Sequence, residues 1–85
     1  MKIARTDSFK RDFKKLPHHV KKAFDKKIKL FMENIQHPSF RVKKLEGYEN
    51  RWEASITIFY RFTFEIHEGY FLLRRIGPHD ILTKP

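Results

Sequence analysis

Apolar residues follow a helical period in the first half of the chain and a period of two in the second. After a short apolar pair, Ile3 and Ala4, readable as an edge strand, Thr6 and Asp7 offer capping oxygens for the free amides of a helix. Phe9, Phe13 and Leu16 then fall on one helical face. Pro17 ends that helix and suits the first turn of the next. The second helix has the stronger stripe: Val20, Phe24, Ile28, Phe31 and Ile35 recur at steps of three or four, with Lys21, Lys22, Lys26, Lys27 and Lys29 on the other faces. Asn34, His37 and Pro38 close it. Helices joined this tightly form an antiparallel hairpin, and neither buries its stripe without a sheet to pack on.

Residues 40 to 47 are too short and too charged for a helix. They read as an extended connector with Phe40, Val42 and Leu45 tacked to the body and Arg41, Lys43 and Lys44 exposed. From Trp52 the chain alternates. Trp52, Ala54 and Ile56 point one way and Glu53, Ser55 and Thr57 the other; Tyr60, Phe62, Phe64 and Ile66 oppose Arg61, Thr63, Glu65 and His67. This predicts an antiparallel hairpin, apolar on one face and polar on the other. Its turn near Ile58 and Phe59 lacks the Gly or Asn of tight hairpins. His67-Glu68-Gly69 supplies a conventional turn, and Tyr70 to Ile76 reads as a central strand with bulk on both faces, ended by Gly77-Pro78. The expected fold is therefore α+β in one domain over residues 1–85: strand, two helices, then three strands, making a mainly antiparallel four-stranded sheet with the helical hairpin on one face.

Composition narrows the function classes. No apolar run reaches the roughly 18–20 residues of a membrane span. Lys10, Lys14 and Lys15 interrupt any apolar core of a secretion signal, so a cytoplasmic address is expected. Without cysteine the chain has no disulfide framework, thiolate zinc site or thiol nucleophile. Thirteen aromatics, nine of them Phe, give an 85-residue chain bulk enough for a core. The net charge of +9 is uneven: residues 1–47 carry fourteen basic and five acidic side chains, residues 48–85 five of each. The basic half is the expected face for a polyanion such as RNA, DNA or an acidic protein segment.

Three groups of residues have the chemistry for a site. Glu53, Ser55 and Arg61 share the polar face of the hairpin, where an ordinary cross-strand ion pair is the bland alternative. His79, just past the Gly-Pro break, has the pKa range of a proton shuttle, or is an idle loop histidine. Arg41, Lys43, Lys44, the helix lysines and Arg74-Arg75 can contact phosphates, with Phe40, Tyr48 and Trp52 as stacking surfaces or, by the inward parity of Trp52, core. His18, His19, His37 and His67 follow no metal spacing, and no Gly-rich phosphate loop is present, so neither metal nor cofactor is assigned.

Four segments, Arg41-Val-Lys-Lys-Leu-Glu-Gly47, Trp52-Glu-Ala-Ser-Ile56, Tyr60-Arg-Phe-Thr-Phe64 and Leu72-Leu-Arg-Arg-Ile-Gly-Pro-His-Asp80, resemble the RelE/ParE superfamily of bacterial toxins, with the late histidine nearest the YafQ-like branch. The resemblance spans nearly the whole chain. It implies a RelE-like fold and the toxin of a type II toxin–antitoxin system, neutralised by a cognate antitoxin. In the RNase branch such a toxin cuts mRNA on the ribosome. By position, Arg61 matches the arginine that stabilises the scissile phosphate and His79 the late general acid or base. Glu53 and Ser55 stand where RelE-type members place catalytic Lys or Arg, a departure that Lys43 and Lys44 can offset. The expected roles are Glu53 as base, His79 as acid, and Arg61 with Arg75 or Lys44 as charge clamp, Arg41, Lys43 and Ser55 completing the RNA contacts. A ParE-like inhibitor of DNA gyrase and a relative that only binds its antitoxin are the alternatives.

Overall fold

A computed structural model describes residues 1–85. Its elements are β1 (Lys2–Arg5), α1 (Asp7–Lys14), α2 (His18–Glu33), β2 (Lys43–Lys44), β3 (Trp52–Ser55), β4 (Tyr60–His67) and β5 (Tyr70–Pro78). Single 3₁₀ turns lie at Pro38–Phe40 and His79–Thr83. The sheet has five strands in the order β1-β5-β4-β3-β2 rather than the four expected. All neighbours are antiparallel except β1, which lies parallel to β5 at one edge.

The additional strand is the segment read as a connector. Arg41 takes a left-handed conformation (φ 47°) after the 3₁₀ turn, and this reversal lays Lys43 opposite Glu53 and Lys44 opposite Trp52. A strand of two exposed lysines carries no periodicity, so alternation cannot reveal it.

The helical hairpin forms as the stripes require. The Thr6 hydroxyl accepts from the Phe9 amide at 3.0 Å and donates to the Arg74 carbonyl at 2.8 Å, capping α1 and fastening it to β5 together. The chain then reverses through Lys15–Pro17, and Phe24 of α2 meets Phe9 and Phe13 at ring separations of 5.7 and 5.5 Å. Phe31 is the centre of the core. It is fully buried, and the rings of Phe40, Phe62, Phe64 and Phe71 lie 5.4, 5.1, 5.0 and 5.0 Å away. Tilted and edge-on aromatic pairs of this kind contribute about 0.5–1.5 kcal/mol each beyond area burial.

The hairpin turn that lacks Gly and Asn is closed by Thr57. Its hydroxyl accepts from the amides of Phe59 and Tyr60, both at 3.2 Å, while the Ile56 amide donates to the Tyr60 carbonyl at 2.9 Å. A bulge at Thr63/Phe64 sets two successive residues of β5, Arg74 and Arg75, outside simple alternation. Ile66, expected inward, is instead exposed at the end of β4, where Asn50 brackets its backbone.

The polar face of the sheet is not solvated. Thr63 is fully buried, and Glu53 and Ser55 are only 9% and 7% exposed. After Pro78 the chain folds back over this face: Ile81 is buried, and the Pro85 carbonyl accepts from Arg51 and Arg74. Gly77 permits the approach, since a Cβ there would lie 2.9 Å from Ile81 Cγ2.

Candidate functional site

Strands β3 and β4 bring Glu53, Ser55 and Arg61 together because Ser55 and Arg61 are register partners and Glu53 is two residues along the same face. An Arg61 guanidinium nitrogen lies 3.2 Å from Ser55 Oγ and 3.5 Å from Glu53 Oε1. The arginine is thus held by one acceptor and one opposite charge, with its side chain still 23% exposed. Lys43 stands opposite Glu53 on β2, so a second cation borders the group. Lys44 follows it, exposed, opposite Trp52.

Beyond Glu53 the short β2 leaves the outer edge of β3 unpaired, and a cleft of about 420 Å³ opens there. Lys27, Arg41, Ser39, Ser55, Thr57, Pro38 and Ile58 line it. Two cations and three hydroxyls face this space and no carboxylate does, a lining suited to a phosphate or other anion. Ser55 belongs to both the cleft and the Arg61 cluster and joins them. Lys27, which lines the cleft, holds its Nζ over the Phe40 ring, 5.8 Å from the ring centre. Lys27, Ser39 and Thr57 are the residues that sequence reasoning does not single out. Lys27 looks like any other lysine of α2, and Ser39 and Thr57 join the site only through the two turns they occupy.

The other candidates stand apart. His79 is exposed, one residue beyond the Pro78 that pairs with Tyr60, and it makes no hydrogen bond or ion pair with Arg61 or Glu53. Gly77, the register partner of Arg61, is two residues before it. Arg75 is engaged elsewhere: its Nε and Nη2 donate to the two Asp12 oxygens at 2.6 and 3.2 Å, and its Nη1 to the Lys84 carbonyl at 3.1 Å. Donating these hydrogen bonds to Asp12 raises the Arg75 pKa, partial burial opposes it, and the charges of Asp12 and Asp80 add to the rise.

A second network stabilises the same face further along. Glu65 binds Arg74 at 2.8 Å and His67 at 2.7 Å, with Arg51 at 3.6 Å. Burial alone pushes the Glu65 carboxyl up; hydrogen bonds from His67 and Arg74, with their charges, outweigh it and hold the group below the usual carboxylate range. No group of His, Asp or Glu side chains is arranged to hold a metal ion. No helix is long and apolar enough to cross a membrane.

No family model and no characterised protein sequence matches the chain. Its three-dimensional arrangement does have counterparts. The RelE–RelB toxin–antitoxin complex of Methanococcus jannaschii superimposes with a TM-score of 0.76 at 19% identity, covering 95% of each chain. YafQ in the E. coli DinJ–YafQ complex gives 0.76 at 14% identity over 94% of each chain. A YoeB/ParE toxin from Agrobacterium tumefaciens gives 0.77 at 16% identity, covering 93% of this chain and 99% of its own. Edge strand, helical hairpin and antiparallel sheet therefore recur over almost the full length of this chain: it has the RelE-like toxin fold.

Proposed function

We propose that this protein is the toxin of a type II toxin–antitoxin pair and an endoribonuclease that cuts mRNA on the ribosome. The observation that carries the reading is the Arg61–Ser55–Glu53 cluster, joined through Ser55 to a cleft lined by Lys27 and Arg41. RNA cleavage of this type joins the ribose 2′-oxygen to the adjacent phosphorus and breaks the bond to the 5′-oxygen. The products are a 2′,3′-cyclic phosphate and a 5′-hydroxyl. The step needs a base for the 2′-OH proton, an acid for the leaving oxygen, and fixed positive charge for the phosphorane-like transition state.

In this reading Arg61 is the charge clamp, pre-oriented by Ser55 and Glu53 so that little reorganisation is needed when charge develops. Glu53, 3.5 Å from that clamp, is the base for the same phosphodiester. His79, which opens the 3₁₀ turn two residues beyond the register partner of Arg61, is the acid. Lys43, Lys44, Arg41 and Lys27 hold the flanking phosphates. Arg75, already paired with Asp12, braces α1 against β5 rather than binding RNA. The partner is an acidic antitoxin segment that covers the basic half and folds as it binds; RelE is found in complex with RelB and YafQ with DinJ.

The test is cleavage of mRNA on programmed ribosomes, with mapping of the new 5′-ends. Losing a transition-state cation costs about 10²–10³ in rate, so Arg61→Ala falls by that factor and His79→Ala also slows. Wild-type rates in both variants remove these roles. Toxicity marked by DNA damage with intact mRNA replaces the nuclease with the gyrase inhibitor.

A further inference from the structure

The tip of the β3–β4 hairpin exposes two bulky apolar side chains, Ile58 at 72% and Phe59 at 73%. Phe9, Phe24, Phe31, Phe40, Phe62, Phe64 and Phe71 are all buried, so Phe59 does not follow the general use of phenylalanine in this chain. Nor is the tip a loose loop. The Thr57 hydroxyl binds the amides of Phe59 and Tyr60, and the amides of Ile56 and Thr57 both donate to the Tyr60 carbonyl. The aromatic ring is presented on a closed turn, which lowers the entropy cost of using it in binding.

Position adds the second observation. Thr57 and Ile58 form one wall of the cleft whose other walls carry Lys27, Arg41, Ser39 and Ser55. Phe59 follows Ile58 directly in the chain, so a cationic, hydroxyl-lined cleft and an exposed aromatic ring share one hairpin tip; these are the two halves of a nucleotide site, one taking a phosphate and the other the face of the neighbouring base. A protein partner fits less well, because a stable protein interface buries about 800 Å² per side and the apolar tip consists of two residues. We infer that Ile58 and Phe59 form a nucleobase-stacking wedge for single-stranded RNA whose phosphate occupies the adjoining cleft. The inference rests on the RNA reading above and adds to it a contact with the bases. Every base has a stacking face, so the contact is tolerant of sequence.

The experiment measures binding of a short, fluorescently labelled RNA bearing 2′-O-methyl riboses, which removes the attacking hydroxyl. A matched oligonucleotide with abasic positions is run beside it. Phe59→Ala is expected to weaken binding of the intact RNA about 5- to 100-fold, with the salt dependence unchanged, while Phe59→Trp binds at least as well as wild type. Lys27→Ala is expected to lower the salt slope by about one phosphate contact. On the abasic oligonucleotide, Phe59→Ala and wild type are expected to bind alike. Equal affinity of Phe59→Ala and wild type for the intact RNA overturns the wedge, as does an equal loss on the abasic one. Weakened capture of an acidic protein partner with RNA binding unchanged overturns it in favour of a protein contact. If wild type binds no RNA the wedge falls, and the ribosome cleavage assay decides separately whether the nuclease reading falls with it. Both tip residues are exposed, so unchanged thermal melting confirms that the variants fold.

Discussion

Replacing Asp12 by alanine tests whether the Arg75 guanidinium is part of the scaffold or a phosphate ligand in waiting. The Asp12 carboxylate accepts from Arg75 at 2.6 and 3.2 Å and from the Ile76 amide at 3.2 Å, where β5 has run past the end of β1. The pair is only partly exposed, 29% for the arginine and 16% for the aspartate. It therefore lies between an exposed pair at about 0.2–1 kcal/mol and buried charge-assisted hydrogen bonds at about 1.5–3 kcal/mol. An Ile76 amide left without its partner adds about 1–3 kcal/mol. Together these put the cost of Asp12→Ala at about 2–4 kcal/mol, a large share of the roughly 4–13 kcal/mol expected for a domain of this size. Urea unfolding of wild type, Asp12→Ala, Arg75→Ala and the double variant supplies the cycle. The expected coupling is at least about 1 kcal/mol. Asp12→Asn, which retains an acceptor for the amide, is expected to cost about half as much as Asp12→Ala. A cost below about 0.5 kcal/mol with additive variants refutes the scaffold role. So does a gain in RNA affinity on freeing Arg75.

Other outcomes follow from the same geometry. Glu65 has a folded pKa below its usual value of 4.5, so its contribution is complete above that value and is lost as pH falls through the lower folded one. Unfolding free energy measured down to pH 3 is expected to fall more steeply for wild type than for Glu65→Gln; parallel curves contradict the assignment. Arg41→Gly relieves a left-handed backbone that costs a side-chain-bearing residue about 1–2 kcal/mol. It should therefore unfold at higher urea than Arg41→Ala, while both lose the same share of salt-dependent RNA binding. Gly77→Ala brings a methyl within 2.9 Å of Ile81 Cγ2, and this overpacking should cost about 1–3 kcal/mol in thermal or urea unfolding.

Much of this fold is legible in the sequence because its helices and long strands bury regular stripes. The Phe9–Phe13 and Val20–Phe31 stripes mark both helices, and the alternation of Phe62 and Phe64 with Arg61 and Thr63 marks β4 and its inward face. Elements set by a backbone conformation rather than a stripe are not visible in this way. The left-handed turn at Arg41 creates β2 and opens the cleft, yet arginine is not a residue that announces such a turn. The site is readable to the same extent. Parity on adjacent strands unites Glu53, Ser55 and Arg61. The cleft needs Lys27 from a helix and Ser39 from a turn, which sequence spacing does not connect. The fate of Arg75 is likewise invisible, since Asp12 lies 63 positions away.

The parallel pairing of β1 with β5 also bears on how the molecule comes into being. The Thr6 hydroxyl that caps α1 reaches a carbonyl 68 positions later, and the first strand finds its only neighbour in the last. During synthesis the helical hairpin emerges early, but the sheet beneath it cannot close until β5 has left the ribosome, so contacts of such long range form late. The strand pair bearing Arg61 therefore gains its full support only once β5 has paired with β4. The face that gathers Glu53, Ser55 and Arg61 is thus among the last parts of the molecule to become rigid.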